Sequence, residues 1–270
     1  MRQSRLGIII LTSLIGLMVV AGSIIDETTV DHSPDEKSRF EIKVTPLSNP
    51  ATLASLGSRV VKGADGIVRM TWMEKVGKGS AQVLLSEYSK DGWTTPIGVF
   101  TGDLFVNWAD FPSVAALENG ALAVHWLQHN ADGYGIRLAR SSGKNLPFGP
   151  AQWLHDAEVG QEFGFASIMP QGGVFRAIWL DGRNLASQGE MQLRARTFSA
   201  QGSLGAEEII DARVCECCTT AATVTGKGQL LCSYRGRTRS DVRDILVARH
   251  NEHGWSRPEV AHADDWVVPG

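Results

Sequence analysis

The sequence predicts an all-β fold built on a repeat of about 54 residues, and three observations support this. Four segments each open with a turn glycine and end on an aromatic anchor, and these anchors follow one another at nearly equal intervals: Trp72, Trp126, Trp179 and Tyr234. Within each segment the apolar residues alternate at period two, which is typical of a half-buried strand. The body of the sequence carries no long amphipathic helical pattern.

Each anchor segment has further strand-like neighbours. A second strand follows it directly, as in "AQVLLSE", "GIRLARS", "MQLRARTF" and "DILVARH". A third element contains Trp and Pro, as in "DGWTTPIGVF" and "HGWSRPEVA", and a shorter strand such as "PSVAALEN" precedes the next anchor. Four strands in a repeat of this length describe a β-propeller blade. We therefore expect residues 44–270 to form a propeller domain with four visible blades; a sandwich explains the near-equal spacings less well.

The first 43 residues differ in composition from the rest of the chain. Arg2 and Arg5 precede an uncharged run from Leu6 to Ile25, which predicts an apolar helix that is either a signal peptide or an uncleaved membrane anchor. Residues 26–43 are polar and charged, as expected of a linker. The basic flank should stay in the cytoplasm, so the body is expected to be extracytoplasmic, periplasmic or secreted.

Charge and composition exclude one class of partner. The net charge is −3, and no cluster of basic residues is interleaved with aromatic residues. Nucleic acid is therefore not expected as a partner.

The stretch "RVCECCTT" holds Cys215, Cys217 and Cys218, and the fourth cysteine, Cys232, follows in "QLLCSYRGR". In an oxidising compartment, Cys232 could form a disulfide with Cys217 or Cys218. Alternatively, the thiolates could bind a soft metal ion, Cu or Zn. A catalytic thiol is the third reading, although no histidine lies within the motif to act as its base. The sequence leaves these three readings open.

Alignment on the aromatic anchors indicates where these cysteines lie. Cys218 precedes Tyr234 by the same interval at which Asp110 precedes Trp126 and Phe163 precedes Trp179. In a propeller, the segment that leads into a blade's innermost strand lies at the mouth of the central channel. The following residues are therefore expected to converge there: Trp108, Asp110, Glu162, Phe163, Cys215, Cys217 and Cys218. Cys232 instead aligns with Val124 and Ala177, on the core face of its strand.

Several motifs resemble those of a known family. "SKDGWTTP" is similar to the Asp-box turn of sialidases, and "FVNWADFPSVAALENGALAVHWL", "EFGFASIMPQGGVFRAIWLDGR" and "RVCECCTTAA" resemble bacterial exported sialidase-like propellers, often named exo-alpha-sialidase. The resemblance implies a six-bladed propeller with a site over its channel. Four blades of six would make this a C-terminally truncated member; a closed four-bladed ring is the alternative. Relatives carry histidine where this chain has Phe163.

The same resemblance suggests ligand-binding residues. Sialidases use a tyrosine nucleophile, an acid/base aspartate and three arginines that grip the sugar carboxylate. The candidates for such a grip are Arg183, Arg235, Arg237 and Arg243, and Asp181 and Asp244 could orient them. The alternative is that these residues form ion pairs between blades. Tyr234 is expected to be a buried anchor, and Tyr88 and Tyr134 lie near strand ends or loops.

The sequence therefore predicts an exported, sialidase-like propeller. Its channel-mouth site of cysteine, acidic and arginine side chains would bind a metal ion or an anionic or glycan ligand. The alternative is an exo-sialidase-type glycoside hydrolase. Because no activated tyrosine can be assigned, we expect weak or no sialidase activity.

Overall fold

A computed structural model describes residues 43–131, 133–156, 162–265 and 267. The predicted N-terminal helix, residues 1–25, and all of the linker except residue 43 lie outside the described residues. Among the residues that are described, no helix has the length and apolar character needed to cross a membrane. All described strands lie within one compact unit, Leu47–Gly270.

The first two sheets are antiparallel, and each keeps its strands in chain order. The first sheet consists of β1 (Ser55–Lys62), β2 (Val68–Gly77), β3 (Ser80–Ser89) and an outer strand in two pieces, β4 (Gly92–Trp93) and β5 (Ile97–Gly102). The second sheet consists of β6 (Ser113–Ala116), β7 (Leu122–Asn130), β8 (Gly133–Ser141) and β9 (Gln152–Trp153).

The third and fourth sheets repeat this pattern. The third consists of β10 (Phe163–Gln171), β11 (Val174–Asp181), β12 (Met191–Phe198) and β13 (Leu204–Val214), with a short helix, α1 (Leu185–Gln188), between β11 and β12. The fourth consists of β14 (Ala221–Val224), β15 (Leu230–Arg235), β16 (Ile245–Asn251), β17 (Gly254–Trp255) and β18 (Glu259–His262). The prediction of an all-β chain with four strands per repeat is thus confirmed.

The first strands of the four sheets surround a common cavity. Strand β6 packs beside β1 and β10, and β10 also packs beside β14. Residues from β1, β6, β10 and β14 all line a cavity of about 280 Å³, which we call the central channel. Arg59, Ser113, Ser167 and Ala221 occupy equivalent positions on these strands and face it together. Four antiparallel sheets arranged in this way correspond to four propeller blades.

The predicted aromatic anchors form the buried side of each sheet's second strand. Trp72, Trp126, Trp179 and Tyr234 are all at most 2% exposed, which confirms that the anchors are buried. The expected half-buried alternation is wrong for the first two sheets, because Thr71 and His125 on the opposite face are buried as well. Two of the indoles donate a hydrogen bond to an acidic side chain two residues further along, namely Trp72 to Glu74 at 3.0 Å and Trp179 to Asp181 at 2.9 Å. Burial of a large ring is therefore combined with a partner for its polar atom.

The outer strands of the first and fourth sheets are interrupted by the motif Trp-x-x-Pro. In the first sheet, Pro96 lies between β4 and β5, both of which pair with β3. In the fourth, Pro258 lies between β17 and β18, both of which pair with β16. Proline has no N–H to donate to a ladder, so the strand breaks where it occurs.

Replacing an anchor should destabilise the domain. We expect Trp179→Ala to lower the free energy of unfolding by about 3–5 kcal/mol, because it leaves a cavity and removes a donor from the buried Asp181 carboxylate. The measurement is denaturant unfolding. Trp108→Ala is the matched control, since Trp108 is 89% exposed and its loss should change stability by less than about 0.5 kcal/mol. Equal unfolding midpoints for the two variants would contradict the anchor role.

Candidate functional site

Three of the four cysteines form a compact group in the loop between β13 and β14. The Cys215 Sγ lies 3.2 Å from the Cys217 Sγ and 3.7 Å from the Cys218 Sγ, and the latter two sulfurs are 3.8 Å apart. Cys215 is buried, Cys217 is exposed, and Cys218 is intermediate. The Cys215 N–H donates to the Arg235 carbonyl at 3.0 Å, which holds the loop beside the end of β15. The predicted clustering of these three cysteines is confirmed.

Charged side chains surround the sulfur group on one side. The Arg243 Nη1 donates a hydrogen bond to the Cys215 Sγ at 3.3 Å. Asp241 accepts from both Arg237 and Arg243, at 2.7 and 3.2 Å. Glu216, which lies within the cysteine motif, pairs with the same two arginines at 3.3 and 3.6 Å. The two carboxylates thus fix the arginines, and one guanidinium is directed at a sulfur.

This environment makes the three thiols unequal. Burial alone would raise the pKa of Cys215, but hydrogen bonds from Cys217, Arg243 and Cys218 outweigh it, so that pKa is lowered. Burial and the neighbouring Cys215 raise the pKa of Cys217, and they raise that of Cys218 to about 12. The first negative charge in the group therefore resides on Cys215.

A disulfide from Cys232 to Cys217 or Cys218, one of the three readings that the sequence leaves open, is not formed in this structure, where all four cysteines are free. Cys232 pairs with Ala222 across β14 and β15, whereas the cysteine loop begins beside Arg235, three residues further along β15. Cys232 therefore lies within the ladder of the fourth sheet, while the three clustered sulfurs lie in the loop that precedes that sheet. The predicted burial of Cys232 is confirmed, because it is 1% exposed within the core, where burial raises its pKa to about 12.

A second polar group links three sheets near the start of their first strands. The Asp110 carboxylate, which is buried, accepts a hydrogen bond from the Phe165 N–H. The Phe165 carbonyl accepts from the Thr220 hydroxyl at 2.7 Å, and the Ser167 hydroxyl donates to the Thr220 carbonyl at 3.0 Å. Phe165 has φ of 51°, a left-handed conformation that is unusual for a phenylalanine. These contacts connect the acidic group to the segment that follows Cys218.

Tyr134 and Glu162 complete this acidic group. The two residues pair through a parallel bridge, which places the Glu162 carboxylate close enough to act on the Tyr134 hydroxyl. The Tyr134 ring stacks on Phe105 at a centroid distance of 3.9 Å, with the planes only 5° apart. Burial, reinforced by the Glu162 carboxylate, raises the pKa of Tyr134 well above its ordinary value. Arg59 contributes positive charge close enough to act on Asp110.

The residues that were expected to form one site at the channel mouth are instead divided between the sulfur group and the acidic group, and two of them belong to neither. Phe163 is not available at the mouth, because it is fully buried and its ring stacks on His155 at 3.8 Å. Trp108 is highly exposed, and Glu162 is exposed on the acidic group. Tyr134, Glu216 and Asp241 were not identified from the sequence. The parallel bridge that brings Tyr134 to Glu162 joins residues far apart in the chain, and no local pattern reveals it.

The remaining predicted ligand residues lie mainly in ion pairs. Asp181 and Arg183 pair at 2.6 Å, and Arg183 also reaches Glu207 at 2.7 Å, so this pair belongs to a network of the third sheet. Arg235 pairs with Asp264 at 3.0 Å and donates to the Arg243 carbonyl. The Asp244 side chain accepts two backbone hydrogen bonds, from residues 264 and 265. Of these residues, Arg237 and Arg243 reach the cysteine motif by side-chain contact, and the Arg235 charge acts on Cys215 and Cys218 as well.

No family model and no curated protein matches the chain. Among solved structures, it is similar to a protein of unknown function from Dyadobacter fermentans, with 13% identity, a TM-score of 0.49 and coverage of 77% of this chain and 69% of that chain. It is also similar to an endo-arabinase from Bacteroides thetaiotaomicron, with 13% identity, a TM-score of 0.45 and coverage of 77% and 81%. An alpha-L-arabinofuranosidase from Podospora anserina shows 9% identity, a TM-score of 0.46 and coverage of 78% and 68%. None of these three is described as a sialidase, and similarities of this size carry no information about activity.

The buried Asp110 carboxyl should make stability depend on pH. Burial raises its pKa to about 6, although the Phe165 N–H and the Arg59 charge act against the rise. The folded state then binds a proton more tightly than the unfolded state, so the stabilisation present below about pH 4 is lost as the pH rises through about 6. Between pH 4 and 7, the unfolding free energy of the wild type should fall by about 2–3 kcal/mol relative to Asp110→Asn.

Denaturant unfolding of both proteins across this pH range measures the difference. Asn can still accept the Phe165 N–H bond, so the comparison isolates the charge. A difference that stays constant, or that grows in favour of the wild type as pH rises, would contradict the burial argument.

Proposed function

We propose that the chain is an exported β-propeller protein that binds a thiophilic metal ion, Zn²⁺ or Cu⁺, through Cys215, Cys217 and Cys218. The observation that carries this is the triangle of sulfurs, with edges of 3.2, 3.7 and 3.8 Å. Sulfurs about 2.3 Å from a tetrahedral Zn²⁺ are about 3.8 Å apart, so two edges already have the required length. Closure of the third requires the Cys215 and Cys217 sulfurs to separate by about 0.6 Å.

The positive charge of Arg243 beside the triangle suits the net negative charge that three thiolates and one metal ion would have together. Three thiolates with Zn²⁺ carry a net charge of −1, and with Cu⁺ a net charge of −2. The Arg243 guanidinium beside Cys215 would offset this negative charge directly. Thiolates are the ligands that select soft ions, and three of them suit a trigonal Cu⁺ or leave one position open on Zn²⁺. An open position would allow a small anionic ligand to bind to the metal.

The N-terminal sequence supports the proposed location. The uncharged run behind Arg2 and Arg5 is what a signal peptide or membrane anchor requires, and it would deliver the propeller to the extracytoplasmic side. There a bound metal would protect three clustered thiols against oxidation, which is a reason for them to remain reduced.

Metal binding should depend on each sulfur of the triangle and not on Cys232. We expect the reduced full chain to bind one equivalent of Zn²⁺ or Cu⁺ in competition with a chromophoric chelator. Cys217→Ser and Cys218→Ser should weaken binding at least about 100-fold, since loss of outer-shell partners alone costs 10–100-fold. Cys232→Ala is the matched control and should bind like the wild type. No binding by the wild type, or an equal loss in Cys232→Ala, would rule out the site.

The acidic group favours a second candidate, the sialidase-type glycoside hydrolase that binds a glycan at the channel mouth. Tyr134 and Glu162 are neighbours across a parallel bridge and could supply the tyrosine and carboxylate that such an enzyme uses as nucleophile and base. The Asp110 carboxyl contacts the backbone three residues after Glu162. Arg59 lines the adjacent channel and could contact an anionic sugar. This candidate remains second because Arg235, Arg237 and Arg243 are engaged in ion pairs elsewhere.

A fluorogenic sialoside tests the second candidate. If the pair is catalytic, Tyr134→Phe should reduce kcat at least about 100-fold, because it removes the nucleophilic oxygen while preserving the ring that stacks on Phe105. Tyr88→Phe is the control and should leave turnover unchanged, because Tyr88 packs against Trp93 on an outer strand. Absence of turnover in the wild type would remove this candidate.

A further inference from the structure

We propose that Cys215 and Cys217 also form a reactive dithiol that exchanges with small accessible disulfides. In this chemistry Cys217 is the sulfur at which the external disulfide reacts, and Cys215 is the resolving sulfur that closes the internal bond. The proposal uses the same loop as the proposed metal site but does not require that a metal binds there.

Accessibility and distance assign the two roles. Cys217 is exposed, whereas Cys215 is buried and cannot meet an external molecule first. The distance between their sulfurs, 3.2 Å, is the shortest in the group, and bond formation at about 2.05 Å requires a movement of only about 1.2 Å. Cys218 lies further from both sulfurs and is adjacent in sequence to Cys217, a spacing that suits a disulfide poorly.

The charged residues around Cys215 favour its role as the attacking sulfur in the closing step. Arg243 donates to its Sγ at 3.3 Å and is 6% exposed, so the guanidinium is held against the sulfur with little competing water. Asp241 holds the Arg243 Nε at 3.2 Å, which fixes the orientation of this donor. A charge-assisted hydrogen bond of this kind stabilises negative charge on the sulfur before attack.

The exchange takes place in two balanced steps. In the first, Cys217 gives up its proton and its sulfur attacks one sulfur of a disulfide R–S–S–R, forming Cys217–S–S–R and releasing R–S⁻, which takes up that proton. In the second, the Cys215 sulfur attacks the Cys217 Sγ, forming the Cys215–Cys217 bond and releasing the second R–S⁻, which takes up the proton lost by Cys215. The protein loses two electrons and two protons, and the external disulfide gains both.

Closure of this bond would remove two of the three proposed metal ligands. A protein that binds metal in its dithiol form would therefore release it on oxidation, and bound metal would slow the exchange. The disulfide-bonded form and the metal-bound form of this loop would then exclude each other.

The test uses the full chain, reduced and freed of metal by a chelator, with oxidised glutathione as the disulfide. Samples are quenched with acid and analysed by mass spectrometry. The wild type should lose two hydrogens and retain no glutathione. Cys215→Ser should accumulate one glutathione on Cys217, because the resolving sulfur is absent. Cys217→Ser should react at least about ten-fold more slowly, since the accessible sulfur is gone.

Two controls separate this proposal from a general effect of substitution. Cys232→Ala should form the internal disulfide at nearly the wild-type rate, because Cys232 is buried in the core and is not part of the sulfur group. Arg243→Lys keeps the positive charge but loses the planar guanidinium that donates to the Cys215 sulfur. It should therefore slow formation of the Cys215–Cys217 bond more than it slows formation of the mixed disulfide on Cys217. Peptide mapping after alkylation identifies the bonded pair, and near-ultraviolet circular dichroism checks that each variant is folded.

Several outcomes would overturn the proposal. They are a stable glutathione adduct on the wild type, an internal bond that involves Cys218, closure that persists in Cys215→Ser, and failure of the wild type to react. Metal titration of the reduced protein is a separate measurement. Binding of Zn²⁺ without disulfide formation would refute this inference and leave the proposed function intact, and disulfide formation without metal binding would do the reverse.

Discussion

In each sheet, the first strand pairs with the strand that carries the buried aromatic anchor. This pairing determines where the sulfur group and the acidic group lie. In the second sheet this register places Ser113 opposite His125, and in the fourth it places Ala221 opposite Ser233. Because a shift of one residue would turn the anchor ring to the opposite face of its sheet and out of its place in the core, the register is strongly specified. The segments that precede the first strands of the second, third and fourth sheets are consequently close enough to be linked by hydrogen bonds, and Asp110, Glu162 and the three clustered cysteines lie in them.

Local periodicity explains which features could be predicted from the sequence. The four anchors, the four-stranded repeats and the burial of Cys232 all follow from patterns within a single repeat, because each sheet is formed by strands adjacent in the chain. The contact of Arg243 with Cys215 and that of Tyr134 with Glu162 join residues of different repeat segments and depend on loop conformation, which periodicity does not specify.

The two polar groups are mechanically connected through one unusual residue. Phe165 adopts a left-handed backbone conformation and is held by the Asp110 carboxylate at its N–H and by the Thr220 hydroxyl at its carbonyl. Such a conformation costs of order 1–3 kcal/mol and persists only where neighbouring contacts impose it. Thr220 follows Cys218 by two residues, so displacement of the cysteine loop would be transmitted to the acidic group of another sheet. The cysteine loop and the acidic group are therefore connected through the backbone and hydrogen bonds of Phe165 and Thr220.

The proline breaks in the outer strands bear on how this protein associates with others. A continuous outer strand presents a row of unpaired N–H and C=O groups to which a neighbouring chain can add a strand. Pro96 and Pro258 interrupt that row in the first and fourth sheets, and the pieces β4 and β17 are only two residues long. The perimeter of these sheets is thus a poor template for β-augmentation and for fibril growth. A macromolecule that recognises these two sheets would have to read side chains on their faces or at the channel mouth, not backbone along their rims.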